Sequence, residues 1–347
     1  MSSTKRDRES TDTPSGGKKS KSTTIAKFYG SAGSFTQVAA EKYFQIHHES
    51  VDLSGSSSLS DLFNSVSNGT ADNVIVPYEN SISGVISSTI VHLLTHPTLH
   101  IVGEILDADE LCLCAPANAT LSSIRTVLSH SAILLQAHTF VDSLASKNGG
   151  TAVKGQPTFD SASACAEVGN DVTKAAIASR RAAEIHGLTV LETNFADVES
   201  ETRYVILATT PAESSNRLGR HCSVSYVLPN RPGAMFKSLS CFAFRDLSII
   251  KVSTVPLGGK KELLVGGGAT GASGSDLVRS SSSSGSLSRW DYAFVVDFVA
   301  SANPEVNQAA LNSLKEFAKS VRILGEYSPA EMKAESPSKS MMHLAAF

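Results

Sequence analysis

The sequence predicts an α/β protein with two folded units. Over residues 25–210, short apolar runs alternate with segments of helical periodicity, which favours a largely parallel sheet with helices on both faces. Over residues 221–328 the predicted order is strand–helix–strand–strand–helix–strand, the ferredoxin-like βαββαβ pattern. The 347 residues, 41% of them hydrophobic, are enough for two or three domains of roughly 100–200 residues each.

The first unit is predicted to begin with a strand at Ile25. Its strands are expected over 25–29, 73–76, 100–105, 110–115, 151–153, 175–178 and 202–209. Helices are expected over 35–44, 131–144, 161–167 and 180–186, with another directly after Ser81 that carries Ile82, Val85, Ile86, Ile90, Leu93 and Leu94. In such sheets, ligands bind where strands lead into helix N-termini, so the turns after Tyr29 and Tyr78 are candidate parts of a site.

The second unit has predicted strands over 222–228, 248–256, 292–299 and 321–327, and helices over 232–245 and 304–318. A Gly/Ser-rich insert at 258–289 separates its second and third strands. This insert has too little apolar surface to fold and is expected to be a disordered loop. Residues 211–220 are predicted to be a linker, and residues 1–24 and 329–347 to be disordered tails.

Composition argues against several classes of partner. A net charge of −3, and a folded part without a basic face, predict no nucleic-acid or membrane partner. Five cysteines without framework spacing indicate reduced thiols, and the Cys112/Cys114 pair lacks the ligands of a zinc site, so we expect no metal. The N-terminal segment has no apolar core and carries acidic residues, so we expect a cytoplasmic location and leave a plastid open.

Two polar clusters point to a binding site. Thr202 and Arg203 open an apolar strand, where an arginine is unusual unless it holds an anion. Glu79, Asn80 and Ser81 form a second cluster far upstream. Together they predict one site, assembled from distant parts of the chain, for a small carboxylated molecule.

Four motifs occur in order along the chain. They are Phe28-Tyr29-Gly30-Ser31-Ala32-Gly33-Ser34-Phe35, Val76-Pro77-Tyr78-Glu79-Asn80-Ser81 followed by Gly84, Ser129-His130 with Gln136, and Thr202-Arg203-Tyr204. Arg231-Pro232-Gly233-Ala234-Met235-Phe236 follows in the second unit. This series resembles the prephenate dehydratase and arogenate dehydratase family with a C-terminal ACT regulatory domain. The resemblance runs from about Ala26 to Tyr327 and implies a two-lobed fold like that of type II periplasmic binding proteins, with the site in the cleft.

The resemblance implies decarboxylating dehydration of prephenate to phenylpyruvate, in phenylalanine biosynthesis, without a cofactor. Thr202 would then lie at the leaving hydroxyl. Since threonine is too weak an acid to supply free protons, it would act as a positioned donor that relays from Glu79 or water. Arg203 would clamp a carboxylate through two parallel hydrogen bonds, and Asn80 would complete the catalytic group.

The same resemblance implies a set of substrate-binding residues. Neutral donors would come from Ser81, Ser129 and Gln136, and Tyr204 would face a partly polar cleft. The turn at Gly30, Gly33 and Ser34 would hold the second carboxylate on its amides.

Several alternatives stay open. Ser200 and Tyr204 stand where many family members have Asn and Phe, but neither change removes a catalytic group. Arogenate dehydratase, which makes L-phenylalanine directly, is the close alternative activity, and a non-catalytic amino-acid sensor is the distant one. Pro232, Gly233, Ala234 and Met235 would form a phenylalanine effector turn, whereas Ser253-Thr254-Val255-Pro256 keeps only part of the second ACT motif. The second unit is therefore either regulatory or a purely assembling domain of a homodimer or homotetramer.

Overall fold

The structure, a computed structural model, describes residues 23–212, 219–258 and 291–330. The described chain forms three sheets. Most of the predicted linker and insert, and nearly all of both predicted tails, lie outside the described residues.

The first lobe is a mixed sheet in the order β2-β1-β3-β11-β5, with β4 paired to β3. Its strands are β1 (Thr24–Tyr29), β2 (Val51–Ser56), β3 (Asn73–Asn80), β4 (Gly84–Val85), β5 (His100–Ala108) and β11 (Glu201–Ala208). Its helices are α1 (Phe35–Ile46), α2 (Leu59–Ser67) and α3 (Ser87–Thr95). Strand β11 returns from the second lobe and lies antiparallel between β3 and β5, so that it becomes the centre of the site described below.

The second lobe is another mixed sheet, in the order β10-β6-β9-β7-β8. Its strands are β6 (Cys112–Ala115), β7 (Thr126–His130), β8 (Lys154–Thr158), β9 (Lys174–Ala178) and β10 (Thr189–Thr193). Its helices are α4 (Ser131–Gln136), α5 (His138–Lys147), α6 (Ser161–Val168) and α7 (Arg180–Ile185). Two crossovers, 109–111 and 194–200, join the lobes, and the Asp109 amide donates a 3.1 Å hydrogen bond to the Ser200 carbonyl where they meet.

The C-terminal domain is a four-stranded antiparallel sheet in the order β13-β14-β12-β15, with two helices. Its elements are β12 (His221–Val227), α8 (Ala234–Ala243), β13 (Ile249–Pro256), β14 (Tyr292–Val299), α9 (Pro304–Lys315) and β15 (Ser320–Tyr327). The predicted ferredoxin-like pattern is therefore confirmed. Residues such as Val224 and Phe298 pack with Phe242 and Leu314 of the helices, because alternate strand residues point to opposite faces.

The other face of this sheet is docked on the first lobe. Val295 and Leu324 share one hydrophobic cluster with Leu93 and Val205. The Arg322 guanidinium reaches across and donates to three carbonyl groups at the C-terminal end of α3. Its acceptors are the oxygens of Leu93 at 2.9 Å, His96 at 3.0 Å and Leu99 at 2.6 Å. Burial lowers the pKa of Arg322 to about 10, still high enough to keep it charged at neutral pH.

Gly325 permits the close approach of β15 to β5. A Cβ atom at this position would overlap the backbone carbonyl of Ile101, which cannot rotate away. We expect Gly325→Ala to lower the free energy of unfolding by about 1–3 kcal/mol, the usual effect of overpacking a tight contact. Urea denaturation would measure this change. Gly155→Ala is the matched control, because its Cβ would lie 3.7 Å from the nearest side-chain atom, and equal stability of the two variants would contradict the prediction.

Several elements differ from those predicted from local sequence patterns. The sheet predicted as largely parallel is two mixed sheets, since β11 runs against both of its neighbours. The helix expected directly after Ser81 begins only at Ser87, because β3 continues to Asn80 and forms a hairpin with β4. The helix predicted over 131–144 is divided at Ala137, and the strand predicted over 151–153 lies at 154–158. Four further elements were not predicted, namely β2, α2, β7 and β10.

Candidate active site

Thr202 occupies the start of the central strand β11, opposite Asn80 of β3 and Asp107 of β5. The Asn80 side-chain amide donates a 2.9 Å hydrogen bond to the Thr202 hydroxyl. The orientation of the Asn80 side chain is determined locally, because its oxygen Oδ1 accepts hydrogen bonds from the backbone amides of Ile82 and Ser83. The hairpin turn that displaces the predicted helix therefore directs the Asn80 nitrogen at Thr202.

Asp109 is the third member of this cluster, and nothing in the sequence motifs indicated it. One carboxylate oxygen, Oδ2, lies 2.7 Å from the Ser200 hydroxyl and 3.1 Å from the Thr202 hydroxyl. Burial raises the pKa of Asp109, and the charge of Asp107 raises it further. Hydrogen bonds from Ser200 and Thr202 and the charge of Lys42 lower the pKa, but the net shift is upward.

Tyr204 lies on the same side of β11 as Thr202 and is buried in the core beneath α1. Burial raises the pKa of its phenol well above the ordinary value, Asp109 and Asp107 raise it further, and a hydrogen bond with Thr202 lowers it. Its hydroxyl therefore belongs to the electrostatic surroundings of Thr202. Ser81 lies at the outer end of the strand, where its hydroxyl accepts a hydrogen bond from the Glu201 amide.

Ser129 and Gln136, the two predicted substrate-binding residues of the second lobe, have different surroundings. Ser129 is fully buried, and its hydroxyl donates to the Ile177 carbonyl at 2.6 Å, across β7 and β9. The side-chain oxygen of Gln136, at the end of α4, is buried without a hydrogen-bond partner among the described residues. A buried acceptor without a partner is costly, so this position is suited to a hydrogen-bond donor on a ligand.

The glycine-rich turn forms a contact between the lobes. Gly30 and Gly33 both have positive φ, and a Cβ on Gly33 would lie 2.5 Å from the Cα of Ala182 in α7. The Ser31 amide donates to Asp160 Oδ2 at 2.9 Å, and the Gly33 amide to Gln37 Oε1 at 2.7 Å. The Ser34 hydroxyl caps α1 by accepting a hydrogen bond from the Gln37 amide. A protein carboxylate therefore holds an amide that was predicted to hold a substrate carboxylate.

Arg203 points to the opposite face of β11 from Thr202, toward the C-terminal domain. Its Nε donates to Glu104 at 2.6 Å, its Nη1 to Glu79 at 2.8 Å and Asp297 at 3.0 Å, and its Nη2 to the Tyr327 hydroxyl at 2.8 Å. The side chain is 8% exposed. Arg203 thus joins both domains in a buried ion-pair network, where its guanidinium is already occupied.

Lys251 extends this network from β13. Its ammonium group lies 3.1 Å from Glu79 and 3.6 Å from the centre of the Tyr78 ring. Burial lowers the pKa of Lys251, although Asp297 and Glu79 counteract it. Glu79, predicted as a proton relay, is therefore shared between two cations on the face away from Thr202.

The network predicts that acid weakens the fold. Burial raises the pKa of Glu79 and Glu104, but Lys251 and Arg203 act on Glu79, and His221 and Arg203 on Glu104, so that both pKa values fall below normal. Each carboxylate therefore stabilises the fold above its unfolded-chain pKa of about 4.3, and this contribution is lost as the pH falls through the folded-state pKa.

We expect the free energy of unfolding, measured in urea at pH 6, 5, 4 and 3, to fall less steeply for Glu104→Gln than for the unmodified protein. Glu167→Gln, which alters an exposed glutamate of α6, should preserve the steep fall. An unchanged pH dependence in Glu104→Gln would contradict this prediction.

A cavity of about 270 Å³ lies between α1, the first crossover and the start of α7. Phe35, Val38, Asp107, Ala108 and Ser179 form part of its wall. Its cationic lining residues are Lys42, Arg180 and Arg181, which pair with carboxylates at 2.5 Å, 2.9 Å and 3.4 Å. The cavity is on the Thr202 side of β11, since Asp107 and Thr202 are directly opposed.

The predicted effector turn begins α8. Gly233 has a φ of +77°, and Pro232, Gly233 and Met235 are exposed. Within the described residues, no cluster of three or more histidine, cysteine or acidic side chains is arranged to hold a metal ion. No helix in the described part of the chain is long and apolar enough to cross a membrane.

The fold and the cluster around Thr202 define a two-lobed α/β protein with polar groups where the lobes meet and a ferredoxin-like domain on the first lobe. The chain belongs to the prephenate dehydratase family, whose sequence profile matches residues 26–212. Members of this family are carbon–oxygen lyases, as the sequence motifs predicted.

A relative from Arabidopsis thaliana supports this assignment. Arogenate dehydratase/prephenate dehydratase 2, chloroplastic, is 33% identical over 306 residues, which cover 86% of this chain and 71% of that protein.

Solved structures show the same fold. Prephenate dehydratase from Arthrobacter aurescens, in complex with L-Phe, has a TM-score of 0.71 and 22% identity, with 89% of this chain and 91% of that chain covered. A structure described as a novel type of quorum-quenching acylase has a TM-score of 0.70 and 23% identity, with 88% and 98% covered. At these identities the likeness shows the fold alone.

Proposed function

We propose that this chain catalyses the decarboxylating dehydration of prephenate to phenylpyruvate. The observation that carries the proposal is the Thr202 hydroxyl, held between Asn80 and Asp109 beside the crossovers that join the lobes. Family membership supplies the class of reaction, and this geometry supplies a positioned donor for a leaving hydroxyl.

The proposed chemistry needs binding and proton donation. Loss of the ring hydroxyl and one carboxylate makes an aromatic ring, so the reaction is strongly downhill once the hydroxyl departs as water. A hydrogen bond directed at the oxygen where charge develops lowers the barrier most in a site that excludes water. We propose that Thr202 provides this bond and that Asn80 orients it.

Substrate anions need cations, and Arg203 is engaged in the interdomain network. We propose that Lys42 and Arg180, which line the cavity, bind the substrate carboxylates. Each would give up its present carboxylate partner, Asp107 for Lys42 and Glu110 for Arg180. The side-chain oxygen of Gln136, which has no hydrogen-bond partner in the part of the chain that the structure describes, would accept a hydrogen bond from a substrate donor.

Arogenate is the second candidate substrate, and one observation favours it. Asp160 places its carboxylate at the glycine-rich turn, 2.9 Å from the Ser31 amide. Burial raises the pKa of Asp160, but hydrogen bonds from Ser163 and Ser31 lower it below normal, so the group is ionised at neutral pH. An ionised carboxylate attracts the ammonium group of arogenate and offers nothing comparable to the keto oxygen of prephenate.

Parallel assays test both candidates. Purified protein would be incubated with prephenate and with arogenate while phenylpyruvate and phenylalanine are followed. Formation of phenylpyruvate supports the main proposal, and faster formation of phenylalanine from arogenate supports the second. Folded protein that converts neither substrate would overturn the enzyme proposal and favour an amino-acid sensor.

For the C-terminal domain we propose an ACT role, with phenylalanine binding at the turn from Pro232 to Met235 and assembly as a homodimer or homotetramer. Large exposed apolar side chains on this domain support assembly, among them Phe236 at 75% and Phe244 at 82% exposure. The L-Phe complex of the Arthrobacter protein supports the choice of ligand. For location we propose the cytoplasm, with the plastid named for the Arabidopsis relative as the alternative.

A further inference from the structure

Asp109 has an environment unlike that of the other acidic groups near the cleft. Asp107 pairs with Lys42 at 2.5 Å and Glu110 with Arg180 at 2.9 Å. Asp109 is in none of the ion pairs found among the described residues, and its contacts are the hydroxyls of Ser200 and Thr202. Burial and the nearby charge of Asp107 favour the neutral form of this carboxyl, and together they outweigh the two hydroxyls and Lys42, which favour its ionised form.

The hydrogen-bonding capacity of Thr202 depends on the protonation of this carboxyl. A threonine hydroxyl has one proton to donate and two lone pairs that accept. Asn80 already donates to one lone pair. When Asp109 is ionised, the single Thr202 proton is drawn to Asp109 Oδ2. When Asp109 is neutral it can donate to the second lone pair, and the Thr202 proton is then released from Asp109 and can turn to a ligand or to the Tyr204 hydroxyl.

We propose that neutral Asp109 is the acid behind Thr202. Asp109 acts as a positioning residue and supplies, through Thr202, the proton that the leaving hydroxyl takes. The inference rests on the proposed dehydratase function. In the step, the Asp109 proton passes to Thr202 Oγ1 while the original Thr202 proton passes to the substrate hydroxyl. The carbon–oxygen bond breaks to release water, and the electron pair of the breaking bond to the carboxylate enters the ring as CO2 leaves. The Asp109 carboxylate then takes a proton from solvent.

The direction in which activity changes with pH follows from the proposal, because the step requires the neutral form of Asp109. Activity should fall as the pH rises through the pKa of Asp109, which burial and Asp107 raise, whereas Ser200, Thr202 and Lys42 lower it. Tyr204 also faces this cluster, and its pKa lies well above the ordinary value for a phenol, so it stays neutral in this range.

The test is the single-turnover rate of product formation against pH, with whichever substrate the protein converts. We expect the unmodified protein to lose activity tenfold per pH unit above the Asp109 pKa. In Asp109→Asn the amide can donate a hydrogen bond but no proton, so the rate should fall by about 10²–10⁴ and this basic limb should disappear. Asp142→Asn, which alters an exposed aspartate of α5, should keep both rate and limb.

Ser200→Ala provides a second measurement that leaves the carboxyl in place. The Ser200 hydroxyl lowers the pKa of Asp109, so its removal should move the basic limb to higher pH. A limb that stays in place in Ser200→Ala, or an Asp109→Asn variant with an unchanged rate and limb, would overturn the inference and leave the dehydratase proposal intact. Folded unmodified protein without activity would overturn the dehydratase proposal itself.

Discussion

Thr202→Ala is expected to lower kcat for dehydration by about 10²–10³, the usual effect of removing one donor aimed at developing charge. The hydroxyl is held by Asn80 at 2.9 Å and by Asp109 at 3.1 Å, and the substitution removes this positioned donor. The loss should appear in kcat more than in KM, because the donor acts on the departing hydroxyl. Steady-state rates with prephenate and arogenate would measure it.

Two controls separate chemistry from folding. Thr202→Ser restores a hydroxyl on the same strand and should recover most of the rate. Thr189→Ala removes an exposed threonine from β10 and should leave the rate unchanged. Retention of more than a third of the rate by Thr202→Ala, in protein with the normal unfolding temperature, would show that Thr202 is not the donor.

Arg203→Met should have the largest effect on stability. The change leaves Glu79, Glu104 and Asp297 at the domain interface, with Lys251 as the remaining lysine or arginine partner among the described residues. Removing one partner of a buried ionic network typically lowers the free energy of unfolding by about 3–5 kcal/mol, because the remaining charges lose their compensation. Urea denaturation would measure the loss.

Arg181→Met is the matched control for this variant. Arg181 pairs on the surface with Glu184 at 3.4 Å and Glu41 at 3.6 Å, and such exposed pairs contribute about 0–1 kcal/mol. Comparable small losses in both variants would contradict the structural role of Arg203. An Arg203→Met protein of normal stability with a strongly raised KM would restore the sequence prediction that Arg203 clamps a substrate carboxylate.

Much of the fold could be predicted from local patterns. The βαββαβ order of the C-terminal domain and the strands predicted over 25–29 and 175–178 follow from short apolar runs between turn residues. The structure confirms them, with these strands at 24–29 and 174–178. Strand β2 was missed because its residues are largely exposed and only Val51 and Leu53 are apolar. The hairpin after Asn80 was mistaken for a helix because Ile82, Val85 and Ile86 happen to have helical spacing.

The sequence alone determined the α/β class, the family and the pairing of the Asn80 and Thr202 motifs, because each depends on residue type and order along the chain. Only the tertiary structure decided which way Arg203 faces, since that depends on the pleat of β11 and on a domain whose Asp297 is 94 residues away. It likewise decided that Asp109 meets Ser200 across 91 residues. Contacts between residues so far apart along the chain leave no periodic signal in either segment, so the charge network and the acid behind Thr202 emerge only when the chain is folded.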